Sequence, residues 1–412
     1  MDIYSSGTDT LVSTPSWRDR LAERFFRLPL SRLRHCRVKL RLPSGYQFFA
    51  GKDDADTEIH WIISDWNALR RMAHSGALGF AEGYINGEWT TPDLPHLLTQ
   101  LARELDRVEP RENPWAPSRL MGRLKHWRNA NTKSGSKRNI EFHYDLGNAF
   151  YTRWLDRSMT YSSALFEPET LDLEAAQTRK YRHLCEQLQL QPGQHVLEVG
   201  CGWGGFAEIA ARDFGCKVTG ITLSNEQHAY ARERMARAGL SDQVEIRIQD
   251  YRDVDERFDA IASIEMFEAV GEEHWPIYFN ALTQVLKPGG RAGLQVITIR
   301  EGDFERYRRN VDFIQKYIFP GGMLPPRTRL DDMAREAGLS PIHQRMFGID
   351  YARTLSDWLT AFERAWPEIQ PLGFDERFRL IWRYYLAYCE AGFATGRIDV
   401  GQFFYEKPLT EA

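Results

Sequence analysis

The densest chemistry in the chain lies in Val196-Leu-Glu-Val-Gly-Cys-Gly-Trp-Gly-Gly-Phe-Ala, an apolar strand pattern, a glycine-rich turn and the start of a helix pattern. Glycines there let a ligand approach the backbone closely, and the helix that follows offers unpaired N–H groups. Gly200, Gly202 and Gly205 fit the G-x-G-x-x-G spacing of dinucleotide sites, so the bare pattern leaves the ligand open. A nicotinamide enzyme would also place an acid at the end of the second strand, for the ribose hydroxyls. That strand ends Gly220-Ile-Thr-Leu-Ser, without a carboxylate. What the turn does have is Glu198, two residues before the first glycine, giving Glu198-x-Gly200-x-Gly202-x-Gly204, and Asp250 follows the third strand pattern.

Such a turn must be carried by a sheet. The patterns His195-Val-Leu-Glu-Val, Lys217-Val-Thr-Gly-Ile, Val244-Glu-Ile-Arg-Ile, Asp259-Ala-Ile-Ala-Ser-Ile and Gly293-Leu-Gln-Val-Ile are mostly separated by helical ones, including Glu226 to Ala238. This alternation predicts a doubly wound α/β sheet. Gln402-Phe-Phe-Tyr-Glu fits a closing edge strand, and the aromatic helical segments 303–335 and 353–397 read as cap insertions around the last strands. Residues 57–107 alternate short strand-like and helical patterns, as in a small α+β domain. The expected division is an N-terminal domain over 1–115, a basic linker over 116–138, rich in Asn, Ser, Arg and Lys, and a catalytic domain over 139–412.

Two basic stretches need a partner or solvent. Residues 17–41 carry nine Lys or Arg side chains interleaved with Leu21, Phe25 and Phe26, and Arg119, Arg123, Lys125, Arg128, Lys133, Lys137 and Arg138 cluster in the linker. Each reads either as attracted to an anionic membrane surface or as a solvated face. Over all 412 residues, 53 basic and 57 acidic side chains leave a net charge of -4, so no global field favours nucleic acid. Five cysteines with no C-x-x-C pair imply free thiols in a reducing cytosol, without a metal site. No apolar run reaches the ~20 residues of a membrane span. The expectation is a cytoplasmic protein, peripherally associated with the inner face of the cell membrane. An aromatic content of 13% suits an apolar pocket.

The Glu-x-Gly-x-Gly-x-Gly turn resembles motif I of S-adenosylmethionine-dependent methyltransferases. Around it, His143-Tyr-Asp-Leu-Gly-Asn-Ala-Phe, Met159-Thr-Tyr-Ser-Ser-Ala-Leu-Phe, Gly220-Ile-Thr-Leu-Ser-Asn-Glu-Gln, Gln249-Asp-Tyr-Arg-Asp, Met266-Phe-Glu-Ala-Val-Gly and Lys316-Tyr-Ile-Phe-Pro-Gly-Gly-Met-Leu-Pro resemble blocks of the cyclopropane-fatty-acyl-phospholipid synthases and the mycolic acid methyltransferases. The resemblance runs from about 139 to 405, and the N-terminal region is loosely similar to the lipid-carrier-like domain of bacterial synthases. It implies a Rossmann-like class I methyltransferase sheet and S-adenosylmethionine as cofactor. Glu198 would orient the cofactor's amino-acid part, with Gly200, Gly202 and Gly204 beside it. Tyr161 and Ser162 would close over it, Thr222 and Gln227 hold the ribose, and Asp250 and Tyr251 flank the adenine.

The family's reaction adds a methyl to a cis alkene of an acyl chain in a membrane phospholipid. Positioning in a dry pocket supplies most of the gain, because an alkene is a poor nucleophile. Aromatic faces can stabilise the resulting cation without capturing it, and Tyr317, Phe319 and Tyr351 are the candidates. Base placement then sets the product: a proton lost from the new methyl closes a cyclopropane, and one lost from a neighbouring carbon leaves a methyl branch and a shifted double bond. In the family a bicarbonate serves as base, held by Cys, Glu, His, Ile and Tyr. Glu268, Ile297 and Tyr351 match, whereas Ser163 and Gln295 stand at the Cys and His positions. Serine and glutamine can still donate hydrogen bonds to an anion; alternatively, bicarbonate is lost and Glu268 or water takes the proton. Ring closure is the majority family outcome, a methyl-branched product its nearest rival. A non-catalytic lipid-binding protein and a nicotinamide oxidoreductase are the rivals from other classes. The expected partners are unsaturated phospholipid, an anionic membrane surface and a second copy in a homodimer.

Overall fold

The computed structural model describes residues 14–31, 33–52, 55, 57–105, 146–167 and 172–409. The linker over 116–138, its basic cluster and the first residues of the His143 block lie outside them. Contacts divide the chain into two compact units, Met1–Pro114 and Trp115–Ala412.

The first unit opens with helix α1 (Trp17–Leu30), started by a capping box in which Ser16 and Asp19 satisfy each other's backbone N–H groups. A four-stranded sheet follows, in the order β2 (Gln47–Gly51), β1 (Cys36–Arg41), β3 (Thr57–Ile63), β4 (Trp89–Thr90). Alternation along β1 buries Cys36, Val38 and Leu40 and turns the basic side chains away from the core. Phe26, Trp61 and Trp89 pack edge to face in that core. The opposite side of α1 leaves Trp17 at 69% and Leu21 at 63% exposure, one turn apart, with Phe25 next along the stripe.

The second unit is built on a seven-stranded sheet in the order β10-β11-β9-β8-β5-β6-β7. Its strands are β5 (His195–Val199), β6 (Lys217–Thr222), β7 (Val244–Ile248), β8 (Phe258–Ile264), β9 (Leu286–Ile299), β10 (Ser340–Met346) and β11 (Ile398–Glu406). The first five run parallel, and β11 is antiparallel to both its neighbours. The doubly wound sheet expected from the alternation is therefore present. One expectation needs correcting: the strand around Gln402 does not lie at the edge. Its residues Val400 to Tyr405 are buried, and β10, half-exposed and short of strand signal, takes the edge. Strand order reverses at β5, with β6 on one side and β8 on the other, and this is where open α/β sheets bind ligands, beyond the carboxyl ends of the strands.

Candidate active site

At the end of β5 the chain turns through Gly200 (φ 82°), Gly202 (φ 52°) and Gly204 (φ 82°) into helix α2 of this site (Gly205–Phe214), backbone conformations that a side chain would strain. The N–H groups of Gly200 and Cys201 both donate to the Ile221 carbonyl at 3.0 Å, pinning the turn against β6. A Cβ on Gly200 would strike Met266 at 2.9 Å, whereas one on Gly202 would meet nothing within 4 Å. The backbone at Gly202 is thus open to a ligand. Glu198 is buried; its carboxylate accepts the Ala207 N–H in the first turn of the helix, and its Oε2 has no partner among the described residues. Burial pushes its pKa well up.

Along the same crevice, Thr222 at the end of β6 donates from Oγ1 to Gln227 Oε1 at 2.8 Å. Asp250, after β7, is held by Arg252 through Nε and Nη2 at 2.8 and 2.7 Å, and the neighbouring Tyr251 ring meets Tyr278 at 5.3 Å. The carboxyl ends of β5, β6 and β7 and the residues that follow them thus carry Glu198, Gly200, Gly202, Gly204, Thr222, Gln227, Asp250 and Tyr251.

The segment after β8 carries the second half of the site. Ser263 bonds back to the Val199 carbonyl, Met266 lies on Gly200, and between them Glu265 adopts φ 49°, which a non-glycine residue rarely takes. Its backbone N–H donates to the Gln295 carbonyl at 2.8 Å. The Glu265 carboxylate accepts three hydrogen bonds: from the Ser163 N–H at 2.8 Å and Gln295 Nε2 at 2.8 Å on Oε1, and from the Tyr351 hydroxyl at 2.7 Å on Oε2. Gln295 is oriented in turn, because its Oε1 accepts from Gln402 Nε2 at 3.1 Å, and Gln402 Oε1 lies 2.7 Å from His183 Nδ1. This relay makes His183 the donor, and burial lowers its pKa.

Lys180 is fully buried on the inner face of the helix Leu173–Gln187 and donates from Nζ to Ser162 Oγ at 2.5 Å. Desolvation brings its pKa down to about 7, opposed by the charges of Glu265, Asp156 and Glu198. The same burial raises Glu265, against the pull of Lys180 and the three donors. Glu268, one turn on, accepts the Ile297 N–H on Oε1 at 2.5 Å, while its Oε2 is enclosed without a partner. Burial, with Glu265 nearby, pushes it up to about 8. Both glutamates are half-buried as residues while their carboxyl groups are densely surrounded; Ser163, Gln295 and Tyr351 are closed off.

An aromatic wall stands beside these groups. The Tyr161 and Tyr385 hydroxyls lie 2.7 Å apart, and the Tyr161 ring is 5.2 Å from Trp358. Trp358 meets Tyr351 at 6.1 Å, and Tyr351 stacks on Phe393 at 4.4 Å. Phe319 joins through Tyr385 at 6.3 Å, whereas the ring neighbour of Tyr317 is Phe313 at 5.2 Å. A cavity of about 570 Å³ beside Gly205 is charged, with Glu208, Arg212 and Arg234 in its lining, and includes none of the predicted catalytic or cofactor residues.

Sequence reasoning missed Glu265 and Lys180. A signal for Lys180 existed: Ala176, Lys180 and Leu184 recur at four-residue spacing, which puts the lysine in the buried stripe. Glu265 carries no such signal, since its role follows from a left-handed backbone that only glycine would have advertised.

A doubly wound sheet with an inserted antiparallel strand and a glycine turn at the point where strand order reverses is the framework of a class I S-adenosylmethionine-dependent methyltransferase. More narrowly, the chain belongs to the mycolic acid cyclopropane synthetase family, whose pattern matches residues 131–403. It is 40% identical over 342 residues to the tuberculostearic acid methyltransferase UfaA1 of Mycobacterium tuberculosis, covering 81% of this chain and 80% of that one. It is 36% identical over 343 residues to the cyclopropane-fatty-acyl-phospholipid synthase of Escherichia coli K12, covering 82% and 85%. Among solved structures, the mycolic acid cyclopropane synthase CmaA1 of a complex with SAH and CTAB superposes with a TM-score of 0.63 at 31% identity, over 66% of this chain and 98% of that one.

The cofactor of this class fits the residues present: open backbone at Gly202 and a buried, partnerless oxygen on Glu198 suit a cationic amino-acid ligand. Of the two alternatives for bicarbonate, the hydrogen bonds of this structure favour its loss. The N–H of Ile297 is taken by Glu268; Glu265 takes the Ser163 N–H and the Tyr351 hydroxyl and shares Gln295 Nε2 with the Ser163 carbonyl, and the Ser163 hydroxyl donates to the Ala164 carbonyl. A second anion would find no free donor in that set and would face two carboxyl groups.

Proposed function

We propose that this methyltransferase acts on a cis double bond within an acyl chain of membrane phospholipid and yields a methyl-branched unsaturated chain. When bound, S-adenosylmethionine supplies an electrophilic methyl carbon. The protein's own contribution is to hold that carbon against the alkene, keep water out and take away a proton. The glycine turn positions the cofactor, and the faces of Tyr161, Tyr351 and Trp358 offer a cation electron-rich surface without a nucleophile.

One observation carries the reading: the Glu265 carboxylate, held by three fixed donors, sits next to Met266, which lies on the cofactor turn, and bonds to Tyr351 of the aromatic wall. A base built into the chain in place of a small anion controls which hydrogen is taken, and the 40% identity to a tuberculostearic acid methyltransferase favours the branched outcome. Ring closure is the second reading, favoured by Glu268, Ile297 and Tyr351 at their family positions and by the likeness to a cyclopropane synthase. The exposed stripe of Trp17, Leu21 and Phe25, flanked by Arg18, Arg20 and Arg24, supports docking of the N-terminal unit on an anionic membrane at its cytoplasmic face. Among the described residues, no helix is long and apolar enough to cross a membrane.

The test is incubation with methyl-labelled S-adenosylmethionine and vesicles of monounsaturated phospholipid. Label recovered in the acyl chains supports the proposal. Lipid bound but never labelled would leave a lipid-binding protein.

A further inference from the structure

The proposed reaction needs a group at the family's anion position that takes the proton. We propose that Glu265 is a built-in replacement for an exogenous anion: its carboxylate fills the anion site and accepts the proton that completes the reaction. Three independent features converge on it. Its carboxylate collects the donors of Ser163, Gln295 and Tyr351, contributed by three separate segments of the unit. Its backbone is held at φ 49°, a conformation that costs stability and persists only where the surroundings enforce it, here through the Gln295 carbonyl. Finally, Glu265 is half-buried as a residue while Ser163 and Gln295 are closed off, so the donors that fix its carboxylate are shielded from water.

The step balances with the cofactor's methyl as the only other reagent. The alkene π pair would form the new carbon–carbon bond to that methyl as its bond to sulfur breaks, the pair staying on sulfur, which leaves a cation on the chain. A C–H bond next to it then breaks, its electron pair stays on carbon as a double bond, and the proton goes to a Glu265 oxygen. The neutral carboxyl returns the proton to water, which resets the site. Tyr351 and Gln295 are positioning residues, and Lys180 steadies the charge of the carboxylate from a distance.

The inference rests on the proposed reaction, but its first test does not. Binding of 13C-bicarbonate and of formate to the full chain without cofactor is followed by NMR for wild type, Glu265→Gly and Glu265→Gln. Glycine suits the left-handed backbone and empties the site, so Glu265→Gly should fold and bind both anions, and wild type should bind neither. Anion binding by wild type at this site, competing with the Glu265 carboxylate, would overturn the proposal. So would a folded Glu265→Gly that binds no anion. In turnover with labelled cofactor, wild type should be indifferent to removal of bicarbonate. Both variants should fall by about 100-fold or more, with formate restoring part of the activity of Glu265→Gly alone. Dependence of wild type on bicarbonate, or full activity of Glu265→Gln, would sink it. Absence of any wild-type turnover would count against the proposed reaction, and the anion titration would still decide who occupies the site.

Discussion

Glu268→Gln should change the pH dependence of stability in a definite direction. The Glu268 carboxyl is pushed up to about 8 by burial and by Glu265, from an ordinary value near 4.5. Between those values the folded protein holds a proton that the unfolded chain has released. The folded state therefore binds more protons, and this residue's contribution to stability declines as pH rises through that window. From about pH 5 to about pH 8 the loss integrates to roughly 3.5 kcal/mol for a fully enclosed group, using ~1.4 kcal/mol per pKa unit, and to about half of that where solvent reaches part of the residue. Glutamine keeps an acceptor for the Ile297 N–H and does not titrate. Urea denaturation of both proteins at the two pH values measures the difference directly. The variant should gain about 2 kcal/mol relative to wild type on going from the lower to the higher pH. Parallel stability curves would refute the enclosed, protonated carboxyl deduced here.

Other consequences are as direct. Glu268→Gln should leave cofactor affinity nearly intact and lower turnover, as calorimetry and initial rates will show; lost affinity with unchanged turnover would contradict its place in the site. Tyr351→Phe removes a donor to the Glu265 carboxylate. A hydrogen bond to a charged group contributes about 1.5–3 kcal/mol, so the acid limb of the pH–rate profile should move up by about 1–2 units, with the protein still folded. Gly202→Ala puts a methyl into the open space of the turn and should weaken cofactor binding about tenfold or more, while backbone strain alone costs about 1–2 kcal/mol of stability. Leu21→Glu, on the exposed stripe of α1, should reduce cosedimentation with anionic vesicles without altering the thermal midpoint by more than a few degrees.

Much of this architecture was legible because local signals agreed with the fold. Alternating strand and helix patterns, a glycine turn with an acid at fixed spacing, and short blocks in order all reported backbone geometry that few residue types can support. The parts that escaped depend on long-range pairing. Gln295 faces Glu265 because β8 and β9 pair Ile264 with Gln295, and β11 then sets Gln402 against Gln295. No local pattern encodes that register. The same holds for β11 itself, whose short apolar run resembles an edge strand until β10 covers it. The two expected departures, Ser163 and Gln295, were visible as single substitutions. Their meaning was not, because it lies in Glu265, a residue whose unusual backbone leaves no mark in its own identity.

Proton NMR of phospholipid from a bacterial host that lacks its own ring-forming enzyme and expresses this chain bears most directly on the central claim. A new branch-methyl signal together with a vinylic resonance of a displaced double bond is expected. High-field cyclopropane protons would contradict the branched outcome assigned to Glu265, and unaltered acyl chains would contradict methyl transfer to lipid altogether.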